Sequence, residues 1–96
     1  MMTAERREYN PRVVGMNLKR LRVKKGLAVE DVRKYLKLES VQAIYKHESG
    51  KSYPQADTLL ALMELYGASV YDIVNERNPI KSYYEYFERF FMNATS

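Results

Sequence analysis

Proline and glycine cut this sequence into short pieces, and within each piece the apolar residues recur at spacings of three and four. Pro11 suits the first turn of a helix, where its fixed φ fits and its missing donor is not needed. Val14, Leu18 and Leu21 follow as one apolar stripe, and Gly26 ends it after Lys24–Lys25, a pair suited to the negative end of a helix. A second helix is expected from about Val29 to Leu36, with Val29, Val32 and Leu36 inward. A third is expected to follow Ser40 as N-cap and to carry Ala43, Ile44 and His47 towards Ser49–Gly50. After the break Gly50–Lys51–Ser52–Tyr53–Pro54, a fourth runs from about Gln55 to Tyr66 and buries Leu59, Leu62, Met63 and Tyr66. Ser69 and Asp72 have the spacing of a capping box over a very short fifth helix holding Tyr71, Ile73 and Val74, which Asn78–Pro79 closes. No strand-like alternation is long enough to build a sheet. The pattern predicts an all-α, compact five-helix domain whose helices are marginal alone and depend on packing against one another.

With 96 residues the chain has room for one core. It divides into a basic N-terminal arm (1–10), the helical domain (11–78) and an aromatic C-terminal helix or tail (79–96). There is no cysteine, which removes disulfides and thiolate chemistry. Met1–Met2–Thr3–Ala4 runs straight into charged residues and no apolar run is long enough to span a membrane, so a cytoplasmic location is expected. His47 is the only histidine, and there is no HExxH, no phosphate-binding glycine loop and no metal-ligand cluster. An enzyme reading therefore has no nucleophile or base to nominate, and no catalytic residue, metal or cofactor is expected. Sixteen Lys plus Arg against 12 Asp plus Glu give a net charge of +4. The placement of the basic residues says more than the total. Arg6, Arg7, Arg12, Lys19, Arg20, Arg22, Lys24 and Lys25 crowd the first quarter, and Lys34, Lys37, Lys46 and Lys51 accompany the central helices. A polyanionic partner would meet such a face favourably.

The order and spacing of these residues resemble the Cro/cI-type (XRE) helix-turn-helix family over about Val14 to Val74. Leu21–Arg22 and Lys25–Gly26–Leu27 are similar to the end of its first helix. Glu30–Asp31–Val32 and Leu36 are similar to its second. Ile44, Glu48, Gly50, Lys51 and Pro54 resemble its recognition helix and the loop after it. Leu59, Leu62, Leu65–Tyr66–Gly67, Ser69 and Ile73–Val74 resemble its last two helices. Gln42–Ala43–Ile44–Tyr45–Lys46 looks like a branch common in low-GC Gram-positive bacteria. The resemblance implies a phage-repressor-like fold, double-stranded DNA as partner, and a transcriptional regulator, expected to be a repressor. It puts the helix from about Ser40 to Glu48 in the major groove. By register it assigns Ser40, Val41, Gln42, Tyr45, Lys46, Lys51 and Ser52 to the DNA-contacting set. Gln42 would read adenine, Val41 would touch a thymine methyl, and Tyr45 would meet a base or a phosphate. Lys46 and Lys51, with Ser52, would hold phosphates. Arg22 and Glu48 stand where the family has a structural ion pair.

Four departures from the family are visible. Ala28 and Val29 replace a capping Ser/Thr and a phosphate-contacting Gln at the start of helix two. Arg33 stands where a small residue faces helix three, and Lys37 replaces the turn glycine. Glu39 and Ser40 lengthen the turn by one residue. The lost Gln is the feature that fits a rival role, an antitoxin-like or other protein-interaction module, a toxin being one such partner, in which DNA binding is secondary or lost. Beyond Pro79, Ile80, Tyr83, Tyr84, Phe87, Phe90 and Phe91 share one side at helical spacing. Such a segment is expected to pack on something, either its own domain or a second copy in a homodimer.

Overall fold

The computed structural model describes residues 4–77, so the aromatic segment containing Ile80, Tyr83, Tyr84, Phe87, Phe90 and Phe91 lies outside the described residues. Those described form five helices in chain order: α1 (Pro11–Lys24), α2 (Val29–Leu36), α3 (Gln42–Ser49), α4 (Ala56–Tyr66) and α5 (Val70–Val74). None is long and apolar enough to cross a membrane. Asn10 caps α1 by accepting from the Arg12 N–H at 2.9 Å, with Pro11 in the first turn. Ser69 and Asp72 form the expected box on α5: the Ser69 hydroxyl accepts from Asp72 N and the Asp72 carboxylate accepts from Ser69 N.

One apolar centre holds the bundle together. Val14, Leu18 and Leu21 of α1 meet Val32, Ile44, Leu62, Tyr66 and Ile73 there, all buried. Every helix thus contributes to a single core, as short helices must. The first helix is the hub, since it packs against α3, α4 and α5. A buried polar residue also works there. Asn17, 4% exposed, donates from Nδ2 to the carbonyls of Ile73 at 2.7 Å and Asn75 at 3.0 Å, tying α1 to the last turn of α5. Those carbonyls would otherwise lack partners at a helix end.

Between α2 and α3 the structure resolves the departures seen in the sequence. Lys37 is left-handed, with φ 58°, and is the one non-glycine residue with positive φ among those described. Its strain is offset by Arg33, which binds the turn twice. The Arg33 carbonyl accepts from Leu38 N at 3.1 Å, and its Nη1 donates back to the Leu38 carbonyl at 2.8 Å. Glu30 steadies the guanidinium, one helical turn back, through Nε at 2.9 Å. A small residue at 33 could not make this clamp. Replacing Lys37 with glycine removes the Cβ penalty, and we expect Lys37→Gly to raise stability by about 1 kcal/mol in chemical denaturation. An unchanged or lowered midpoint would mean that Lys37 carries no strain.

The expected start of the third helix is corrected, while the missing cap of the second is as expected. The third helix begins at Gln42 and ends at Ser49, not Ser40 to Glu48, and Ser40 does not cap it. Val41 already has helical angles, and its carbonyl accepts from Ile44 N at 3.1 Å and Tyr45 N at 3.2 Å. The longer turn thus moves the closing carbonyl past Ser40. At α2, Ala28 supplies no side-chain cap, but the Asp31 carboxylate accepts from Ala28 N at 2.7 Å. Half of a capping box survives without the hydroxyl.

Candidate nucleic-acid interface

The inner side of α3 is fixed to α1 at unusually short range. A Cβ on Gly15 would run into the carbonyl oxygen of His47 and would lie 2.6 Å from that of Glu48. Only a residue without a side chain lets the two backbones approach so closely. Gly50, just past α3, has φ +80°, and a Cβ there would lie 2.6 Å from Arg12 Cα. Both the turn and the approach of α1 therefore require glycine at that position. Ile44 enters the core beside them, 4% exposed. His47 is half-buried, its Nδ1 has no partner, and burial holds its imidazole below the usual pKa, so it is neutral at pH 7.

Arg22 and Glu48 lock the end of α3 to α1. Arg22 Nε donates to Glu48 Oε2 at 2.7 Å and Nη2 to Oε1 at 3.1 Å, a bidentate pair. Nη1 donates at 2.9 Å to the Leu27 carbonyl, where the chain leaves α1. Both side chains are largely out of water, 10% and 7% exposed. The Glu48 hydrogen bond raises the Arg22 pKa against the opposing effect of burial, so the guanidinium stays charged. Tyr66 lies close by, and burial pushes its phenol up to about 12, leaving it neutral.

With its inner side so anchored, α3 presents Gln42, Tyr45, Lys46 and Ser49 to solvent. Together with Lys51 these residues line one open depression of about 380 Å³. Tyr45 is 56% exposed, a large side chain left without a core partner. Ser40 and Ser52 are exposed at either end, while Val41 is half-buried and less available than its register implied. Among the described residues the ion pairs are Arg22–Glu48 and Arg33–Glu30, so neither Lys46 nor Lys51 is neutralised by one. The one acidic residue of α3, Glu48, is turned inward and already compensated. The outer face is left as an amide, a phenol and two ammonium groups, the Ser49 hydroxyl already donating to the Lys46 carbonyl at 3.1 Å. Such a set can donate to phosphate oxygens and to base edges.

The structure brings together Gln42, Tyr45, Lys46 and Lys51, and separately Arg22 and Glu48. Reading the sequence missed Gly15, Asn17 and the Arg33 clamp. Only Gly15 left a trace, as a glycine within an otherwise uninterrupted helical pattern. The N-terminal arm is tied to the end of α5 at Arg7, whose Nη2 donates to the Val74 carbonyl at 3.1 Å. Among the described residues no group of histidine and acidic side chains could hold a metal ion.

A family model described as "Helix-turn-helix domain" matches residues 13–73. No curated protein matches the sequence. Among solved structures, the DNA-binding domain of BldD matches at 19% identity with a TM-score of 0.59, over 69% of this chain and 94% of that one. The S. venezulae BldD DNA-binding domain matches at 19% identity with a TM-score of 0.58, over 69% of this chain and 97% of its own. At such identity the likeness is one of fold.

Proposed function

The chain belongs to the helix-turn-helix domain family, a family of DNA-binding rather than catalytic domains, and from that footing we propose that it is a transcriptional regulator, a repressor of the Cro/cI (XRE) type, that lays α3 in the major groove. The observation that carries this reading is the division of α3 into an inner side locked to α1 and an outer side of uncommitted donors. An α-helix of this diameter fits the major groove and offers its first turns to base edges. Gln42 is the base reader, since its amide can pair with adenine N6 and N7. Tyr45 contacts a base or a phosphate, and Val41, half-buried, meets a thymine methyl. Lys46 and Lys51, as flexible point charges, hold phosphates, with Ser40 and Ser52 donating from the flanking turns.

A gel-shift series over salt concentration tests this. Gln42→Ala is expected to cost about 1–3 kcal/mol of discrimination between cognate and random DNA. Lys51→Ala is expected to weaken all sequences alike and to reduce the salt slope by about one unit. Equal losses on cognate and random DNA for Gln42→Ala would remove its assigned role. No shift on the DNA upstream of the chain's own gene would favour the protein-interaction reading, to which the lost Gln at Val29 gives support.

We further propose that the chain acts as a homodimer through residues 79–96, with Ile80, Tyr83, Tyr84, Phe87, Phe90 and Phe91 as the contact. Two copies could then grip half-sites about 34 Å apart. Met16 of α1 and Val70 and Tyr71 of α5, which are 66%, 55% and 69% exposed, offer apolar area for the same segment. Deleting residues from Tyr83 onward is expected to convert a dimer to a monomer in light scattering. A full-length chain that stays monomeric at high concentration and on DNA would defeat the dimer.

A further inference from the structure

A second basic site lies away from α3. A pocket of about 230 Å³ has in its lining Arg20, Lys24 and Lys25 of the first helix and its end, Tyr66 and Gly67 at the end of α4, Asp72 of α5 and Arg77 beyond it. Four cations thus face one carboxylate, and that carboxylate is already engaged. Asp72 accepts from Ser69 N at 2.8 Å and from the Ser69 hydroxyl at 3.1 Å. Arg20 is poorly satisfied by the protein: Nη2 donates to the Asp72 carbonyl at a long 3.4 Å, and Nε is buried with no partner. Burial, and then the like charge of Arg77, lowers the pKa of Arg20 against the opposing pull of Asp72.

From this arrangement we propose that the pocket between the end of α1 and the α4–α5 turn binds the phosphoryl groups of a small phosphorylated molecule. A di- or multi-anionic group matches the surplus of positive charge, relieves the Arg20–Arg77 repulsion and gives the guanidinium forks acceptors of the geometry they favour. The volume admits a pyrophosphate-sized group. The pocket shares no lining residue with the depression on α3. A free ligand and DNA on α3 would therefore occupy different places, and the proposal does not rest on the DNA-binding reading.

Titration of the full chain with inorganic pyrophosphate, followed by amide and arginine side-chain NMR at constant ionic strength, tests the assignment. Saturable shifts at Arg20, Gly67 and Asp72 are expected. Arg20→Gln is expected to weaken them about tenfold or more, as loss of charge-assisted donors does, while Arg20→Lys recovers part of the affinity. The dispersed spectrum of each variant reports whether it is folded, and a Lys24→Gln, Lys25→Gln pair gives an independent variant if Arg20→Gln is not. Duplex DNA added to the pyrophosphate complex is expected to leave the pocket shifts in place. Their displacement by duplex would reassign the site to the nucleic-acid backbone and overturn the small-molecule proposal. Non-saturating shifts, or shifts matched by chloride, would overturn it altogether.

Discussion

Glu48→Ala is expected to lower the stability of this domain by about 3–5 kcal/mol, the usual cost of leaving one partner of a buried pair without the other. The reason lies in what Arg22 would then face. Its side chain is 10% exposed and the guanidinium stays charged. The neighbouring Tyr66 phenol, pushed up to about 12, supplies no counter-charge near pH 7. Only the Leu27 carbonyl would remain as acceptor. For a domain of this size such a loss corresponds to a fall in Tm of about 12 °C or more, a large part of a typical total stability. The double variant Arg22→Met, Glu48→Leu is expected to recover most of it, because a desolvated pair adds little net stability over an apolar replacement. Denaturation midpoints for the parent, the single and the double variants check both parts. A loss under about 1 kcal/mol for Glu48→Ala would place the pair among exposed bridges, which contribute little.

Gly15→Ala is expected to destabilise by about 2 kcal/mol or more, against the direction of helix propensity, which favours alanine by about 1 kcal/mol. The added methyl would meet the His47 and Glu48 carbonyls, and these are backbone atoms that cannot rotate aside. Relief has to come from displacing α3 as a body, which also strains the Arg22–Glu48 geometry. DNA affinity should therefore fall further than the unfolded fraction alone explains. Lys19→Ala, at an exposed position on α1, serves as the control and is expected to change stability little. If Gly15→Ala were as stable as the parent, the close crossing of α1 and α3 would not be under steric control.

The course of the helices was readable because glycine, proline and apolar spacing act locally. Pro11, Gly26, Gly50 and Gly67 mark ends within a residue or so, and Val14, Leu18, Leu21, Val32 and Ile44 are buried as their periodicity requires. What could not be read are features defined only between elements. Gly15 looks like a weakness in a helix until α3 is seen lying across it. Arg33 looks like an obstruction until its side chain is found bonded to Leu38, five residues on. Asn17 is unremarkable as a polar residue on α1, and only the end of α5 gives it a purpose. Ser40 misled for a related reason, since N-cap preference describes a residue type and cannot say at which residue a lengthened turn will close.

The two-sided character of α3 also bears on how such a domain can change its target over time. Its attachment runs through Gly15, Ile44, Arg22 and Glu48, whereas Gln42, Tyr45 and Lys46 take no part in that attachment. Substitutions on the outward side leave the contacts of that attachment in place. On the base-reading role proposed for α3, lineages carrying this scaffold could then exchange the outward triplet and acquire new sequence preferences without first accumulating compensatory stabilising changes.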